Sequence, residues 1–270
     1  MNYAKTWRRR NEMRITALLE NTAKRTDMKT EHGLSLYIET ETKKILFDMG
    51  QTTLFAENAE KLGIDLSAVD IAILSHGHYD HGGGLRRFLE LNRHAPVYIH
   101  RDAFLPHYNG AEKYIGLDIT LASDPRIVFT EDHSDIGEGL SLFSCNDRKR
   151  CYALASAGLT EKVEDVFIPE DFRHEQYLLI CEKGKRVLIS GCSHKGILDI
   201  TECFIPDILV GGFHFSKMPI DGALAEAAKR LSAYPTEYYT CHCTGEAQFS
   251  YMKDYMGNLR YISCGETIEI

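Results

Sequence analysis

The segment His76-Gly77-His78-Tyr79-Asp80-His81 constrains this chain more than any other stretch, because three imidazoles and a carboxylate fall within six positions. Neutral imidazole and carboxylate are the donors that suit zinc, manganese or iron. The apolar run Ile71-Ala72-Ile73-Leu74 leads directly into the segment and reads as a buried strand. Gly82-Gly83-Gly84 follows and lets the chain turn closely. Donors on a loop that leaves a buried strand can converge on one small volume. A solvated polar loop has no need of this composition.

The rest of the chain reads as one large domain. Its 270 residues are 44% apolar and 26% charged, which is ordinary for a globular protein. A net charge of -8 argues against nucleic acid as the main partner and points to a small-molecule substrate. No apolar run is long enough to span a membrane. Eight scattered cysteines suit a reducing, cytoplasmic setting better than a disulfide framework. Arg8-Arg9-Arg10 is followed by Asn11 and Glu12, so residues 1–12 read as a polar extension and not as a signal peptide. A homo-oligomer is compatible with all of this.

Strands are expected at Met13–Leu19, Leu34–Glu39 and Ile45–Phe47, the last two as a hairpin. Helical spacing marks 54–62, stopped by Gly63, and a helix opens after Gly84. From residue 177 onward strands and helices alternate, closing with strands at 260–263 and 267–270. Residues 101–170 look irregular, with a strand near 139–144, and read as an insert or lid carrying Tyr108, Tyr114, Phe129 and Arg148–Arg150. The pattern predicts an α/β protein in which sheets are sandwiched between helices in one domain, 13–270.

Ser75-His-Gly-His-Tyr-Asp-His-Gly-Gly-Gly84 resembles the signature of the metallo-β-lactamase superfamily. Glu20-Asn-Thr22, Glu31-His-Gly-Leu-Ser35, Leu46-Phe-Asp-Met-Gly-Gln51, Gly191-Cys-Ser-His194, Gly211-Gly-Phe-His214 and His242-Cys-Thr-Gly245 resemble a subfamily of metal-dependent hydrolases, named after dihydropterin ribofuranosylaminobenzene phosphate synthase. The resemblance covers residues 13–270. It implies an αββα sandwich of two mixed β-sheets flanked by helices. It also implies two divalent metal ions, zinc first, with manganese or iron as alternatives. His76, His78 and His194 would hold one ion, and Asp80, His81 and His242 the other.

Some positions stay open. Cys192 stands where many members carry a bridging aspartate, so it is either a ligand or a plain buried thiol. His174 competes with His194 for the third place at the first ion. His214 ends a strand and suits an acid or a phosphate contact. Asp48 is expected to orient the histidine loop. Glu20, Asn21, Thr22 and Thr244 are the candidates for substrate binding. His107 and His133 read as surface residues, like His94. Cys241-His-Cys243 lacks a second cysteine pair and is not a zinc finger.

The chemistry implied is hydrolysis of a phosphorylated or pterin-like molecule by a metal-bound hydroxide, with Asp80 handling the proton. Two other readings compete: a di-iron redox protein of the same fold, and a non-catalytic metal-binding module.

Overall fold

A computed structural model describes residues 12–152 and 157–270. The polar extension expected at the N-terminus falls, but for Glu12, outside the described residues.

Two seven-stranded mixed sheets form the body. In the first, Thr267–Glu269, Arg14–Leu19, Ser35–Glu39 and Lys44–Phe47 pair antiparallel. Ile71–Ile73, Val97–His100 and Ile127–Thr130 then continue it in parallel. The second sheet runs Leu259–Tyr261, Glu237–Thr240, Ile208–Gly211 and Lys185–Ile189 in parallel, then Tyr177–Glu182, Leu140–Phe143 and His133–Gly137 antiparallel.

Side-chain alternation decides the layers. Ile45, Phe47, Ile71 and Ile73 face inward and meet Leu178, Ile180, Val187, Ile189 and Val210 of the other sheet. Leu46, Ala72, Leu74, Val97 and Ile99 face outward against Phe55, Phe88 and Leu89 of the helices Leu54–Lys61 and Leu85–Leu91. The outer face of the second sheet, with Leu188, Leu209 and Tyr238, packs on Ile197–Phe204, Gly222–Ser232 and Glu246–Met252. Strands covered on both faces are apolar at nearly every position, which is why these parallel strands read as continuous runs. The architecture is the αββα sandwich that the sequence led us to expect.

One expectation is corrected. Much of the described part of 101–170 is regular. Ile127–Thr130 completes the first sheet, and His133–Gly137 with Leu140–Phe143 completes the second. Val166–Pro169, Leu159–Val163, His107–Asn109 and Lys113–Tyr114 build a separate small sheet. These strands are short and lie between turn residues, so periodicity alone does not reveal them. Tyr108 does not reach out as a lid. It packs edge-on against Tyr114 and Phe167, with ring centroids 5.4 and 5.0 Å away.

No helix among the described residues is long and apolar enough to cross a membrane.

Candidate metal centre

The site lies where parallel strands of both sheets end at their carboxyl termini, the position that open α/β sheets offer for ligands. Lys44–Phe47 delivers Asp48, and Ile71–Ile73 delivers Ser75 and His76. A single helical turn, Tyr79–Gly82, aims Asp80 and His81. From the second sheet, Lys185–Ile189 leads to Cys192 and His194, Ile208–Gly211 to His214, and Glu237–Thr240 to His242. The loop is held by close approach. A Cβ on Gly77 would stand 2.1 Å from the carbonyl oxygen of Ala103, and one on Gly83 2.2 Å from that of Gln51.

Hydrogen bonds fix the tautomers. Asp48 Oδ1 accepts Ser75 N–H, and its Oδ2 accepts both Ser75 Oγ–H and His81 Nδ1, each at 2.7 Å. Ser75 Oγ, already donating to Asp48, accepts from His76 Nδ1 at 2.8 Å. Asn21 Oδ1 accepts Gly33 N–H at 3.3 Å and His242 Nδ1 at 2.8 Å. His76, His81 and His242 therefore each carry a proton on Nδ1 and turn Nε2 inward.

The Nε2 atoms of His81 and His242 crowd against Cys192 and Asp80. His81 Nε2 is 3.2 Å from His242 Nε2, 3.2 Å from Cys192 Sγ and 3.7 Å from Asp80 Oδ2. Asp80 Oδ2 is 3.5 Å from His242 Nε2. Donor atoms around a tetrahedral zinc ion are about 3.3–3.8 Å apart, given bonds of about 2.0–2.3 Å. A second group, His76, His78 and His194, is buried and mutually within 4.8 Å. His76 Nε2 and both ring nitrogens of His194 are buried without a hydrogen-bond partner among the described residues. Unpartnered buried lone pairs are costly unless a cation satisfies them. The residues present thus fit divalent ions.

Electrostatics leave most of these rings neutral. Burial, reinforced by neighbouring imidazoles, holds His76 and His194 well below the ordinary histidine value, so both rings are neutral and able to ligate. Burial likewise brings His242 and His214 down to about 4. Burial opposes charge on His81 too, but Asp48 and Asp80 together outweigh it and raise that ring to about 9, so a divalent ion bound there would have to displace its Nε2 proton. Burial pushes the Asp80 carboxyl up, and His81, His242 and His32 outweigh it, so it stays ionised well below the usual carboxylate range.

The other expected residues fall as follows. His174 lies beside His78, but both its nitrogens are engaged: Nδ1 accepts Gly77 N–H at 2.8 Å and Nε2 meets Glu170 at 2.7 Å. His194 is the one left with free nitrogens. His214 sits half-buried with its ring 4.3 Å from that of His194, in a left-handed backbone conformation. Cys192 is buried beside His81, and Cys243 joins it within ligand distance of His242.

Two substrate candidates need correction. Glu20 is fully buried, and its oxygens accept from His242 N–H, Tyr261 Oη–H, Thr22 N–H and Thr22 Oγ–H. Thr244 is also fully buried, its Oγ accepting Phe213 N–H. Both hold site loops and offer no surface to a ligand. Thr22 is tied to Glu20 and Ser263, while Asn21 is bonded to His242 and His32.

The sequence reading missed three residues and left a fourth, His32 of the Glu31-His-Gly match, near the site without a role. His32 brings Nε2 within 3.3 Å of Asp80 Oδ2 at the exposed mouth. Glu175 accepts His194 N–H, Lys195 N–H and the hydroxyl of Tyr177. Glu170 and His107 are buried behind His78, and His107 is no surface residue. Of these, only His32 stood in a motif, and no local pattern marks the rest.

An αββα sandwich with these histidine turns at its strand ends defines a class. The chain belongs to the metallo-β-lactamase superfamily, whose members are mostly metal-dependent hydrolases; the model of that superfamily matches residues 29–145. The chain is similar to Tm1679, a metal-dependent hydrolase of the β-lactamase superfamily, at 30% identity and a TM-score of 0.79, covering 96% of this chain and 99% of the other. It is 29% identical over 267 residues to an uncharacterized protein of Methanocaldococcus jannaschii, covering 95% of this chain and all of that one. It is 27% identical over 270 residues to the 7,8-dihydropterin-6-methyl-4-(beta-D-ribofuranosyl)-aminobenzene-5'-phosphate synthase of the same organism, covering 89% of this chain and 90% of the relative.

Proposed function

We propose that this protein is a dinuclear hydrolase acting on a phosphate ester or diester of a small molecule, with zinc as the working metal. The observation that carries the reading is the convergence of two adjacent sets of metal-ligating side chains. His76, His78 and His194 form one, and Asp80, His81 and His242 the other. His76 and His81 adjoin, with ring centroids 4.2 Å apart, so two ions held there would be near neighbours.

Bound divalent ions would supply Lewis acidity and an activated water at neutral pH. The chain's own residues do the rest. Asp80, ionised, is the acceptor for the proton that the attacking water loses. His214, neutral near pH 7, stands beside His194 and can donate a hydrogen bond to a substrate oxygen. Phe172 stacks flat on the His194 ring at 4.4 Å and keeps water from that side. Cys192 at the second set favours zinc over the harder manganese.

The substrate class draws support from the Methanocaldococcus jannaschii relative, whose name describes a product with a pterin ring and a phosphate ester. A small molecule joining an aromatic ring to a phosphate ester is accordingly the proposed substrate.

The test is metal quantification and a phosphoesterase panel on one preparation. Two zinc equivalents per chain and ester hydrolysis that His76→Ala abolishes are expected. Iron as the main metal, or full activity in His76→Ala, would sink the reading.

A further inference from the structure

Behind His78 lies a second cluster of titratable side chains. His78, His107, Glu170 and His174 are all buried, and one ligating atom of each lies within 4.8 Å of the others. A further metal ion is the first occupant to consider, and His174 argues against it. Its Nδ1 accepts Gly77 N–H, which puts the ring proton on Nε2. That nitrogen then donates to Glu170 Oε1 and has no lone pair for a cation. The two shortest contacts to Glu170 Oε1, 2.6 Å from His107 Nδ1 and 2.7 Å from His174 Nε2, are also too close for two ligands sharing one ion, which stand about 3.3 Å apart.

We propose that Glu170 is the positioning residue for His78, an inference that rests on the metal reading above. Its carboxylate lies 3.2 Å by either oxygen from His78 Nε2 and takes the ring proton there. Nδ1 is then the only nitrogen of His78 with a lone pair to offer beside His76 and His194. Without the carboxylate the ring divides between two tautomers, one of which turns an N–H toward the metal position. His174, locked by Gly77, fixes the carboxylate oxygen in place. His107 packs over His174 with ring centroids 4.1 Å apart and closes the far side.

The inference also gives the small sheet a purpose. His107 opens its strand His107–Asn109, and Glu170 directly follows its strand Val166–Pro169. Residues 107 and 170 are brought together because both strands pair with Leu159–Val163. The segment that reads as a lid is a buttress behind the first metal group.

The tautomer of His78 can be read by nuclear magnetic resonance on metal-free protein carrying isotope-labelled histidine. The wild type is expected to show the proton on Nε2, and Glu170→Gln a mixture. Zinc competition against a chelator should show one of the two equivalents weakened 10–100-fold in Glu170→Gln, with the other unchanged and Glu170→Asp partly restored. A wild-type His78 protonated on Nδ1 overturns the proposal. So does a folded Glu170→Gln protein that binds both equivalents at wild-type affinity. A third zinc equivalent that vanishes in His107→Phe also overturns it, because Glu170 would then be a ligand. The tautomer is read without metal, so a chain that binds no zinc defeats the metal reading alone. If Glu170→Gln does not fold, the wild-type tautomer decides.

Discussion

The backbone N–H of His242 donates to Glu20 Oε1 at 2.6 Å, across 222 positions of sequence. His242 holds a left-handed backbone conformation, with φ at 49°. A non-glycine residue stays there only when its surroundings hold it. Glu175 does the same for the other downstream ligand turn, accepting His194 N–H at 2.7 Å just after Ser193 at φ 58°. Two buried carboxylates thus grip the main chain of the two histidines that would complete the proposed metal groups.

Glu20→Gln should therefore act at a distance. The amide offers one acceptor where four donors now point, so about 1–3 kcal/mol of stability is expected to be lost. Denaturant unfolding measures this. Affinity for the second metal equivalent should fall 10–100-fold, as for other residues that orient ligands. Unchanged values of both would remove Glu20 from the support of the site.

Glycine substitutions should separate close approach from backbone freedom. In Gly77→Ala the new methyl meets the Ala103 carbonyl at 2.1 Å, and a backbone atom cannot swing aside. Loss of bound zinc together with a stability loss above about 3 kcal/mol is expected. Gly222→Ala, in the first turn of its helix with nothing near its Cβ, should be neutral or stabilising by up to about 1 kcal/mol. Thermal melts of the two proteins test the contrast.

Cys192 has a spectroscopic test. With cobalt in place of zinc, a thiolate ligand gives an intense charge-transfer absorption in the near ultraviolet. The band is expected in the wild type and in Cys243→Ser, and absent in Cys192→Ser. Its survival in Cys192→Ser would return Cys192 to the status of a buried thiol.

The metal-free protein should be acid-labile. His76, His174 and His194 sit well below the ordinary histidine value, and His214 and His242 at about 4. Between pH 6.5 and 4 the unfolded chain takes up protons at these rings and the folded chain does not, so stability falls as pH falls. The loss is on the order of 3 kcal/mol for each of His214 and His242. His81 runs the other way. Raised to about 9, it adds stability that is complete below pH 6.5 and disappears as pH climbs through 9. Denaturation midpoints should peak near neutrality. A midpoint that rises from pH 6.5 to 4 would contradict the burial of neutral rings.

The sequence alone determined the sandwich and the heart of the site. The apolar runs at 71–74, 187–189 and 208–210 read as buried strands, and His76 to His81 as lying at the end of one of them. Short-range order carries such information, because the spacing of side chains along one strand or turn is set locally. The assignment of roles was decided elsewhere. Glu20 reads like a residue facing substrate, yet it is buried under His242. His174 competes with His194 in sequence, and the Gly77 N–H bond to His174 leaves only His194 of the two with free ring nitrogens. Glu170 and His107 carry no local signal, because their meaning depends on a strand pairing between segments about fifty residues apart. Which nitrogen of a histidine bears its proton depends on a partner across the fold, and sequence order does not record that partner.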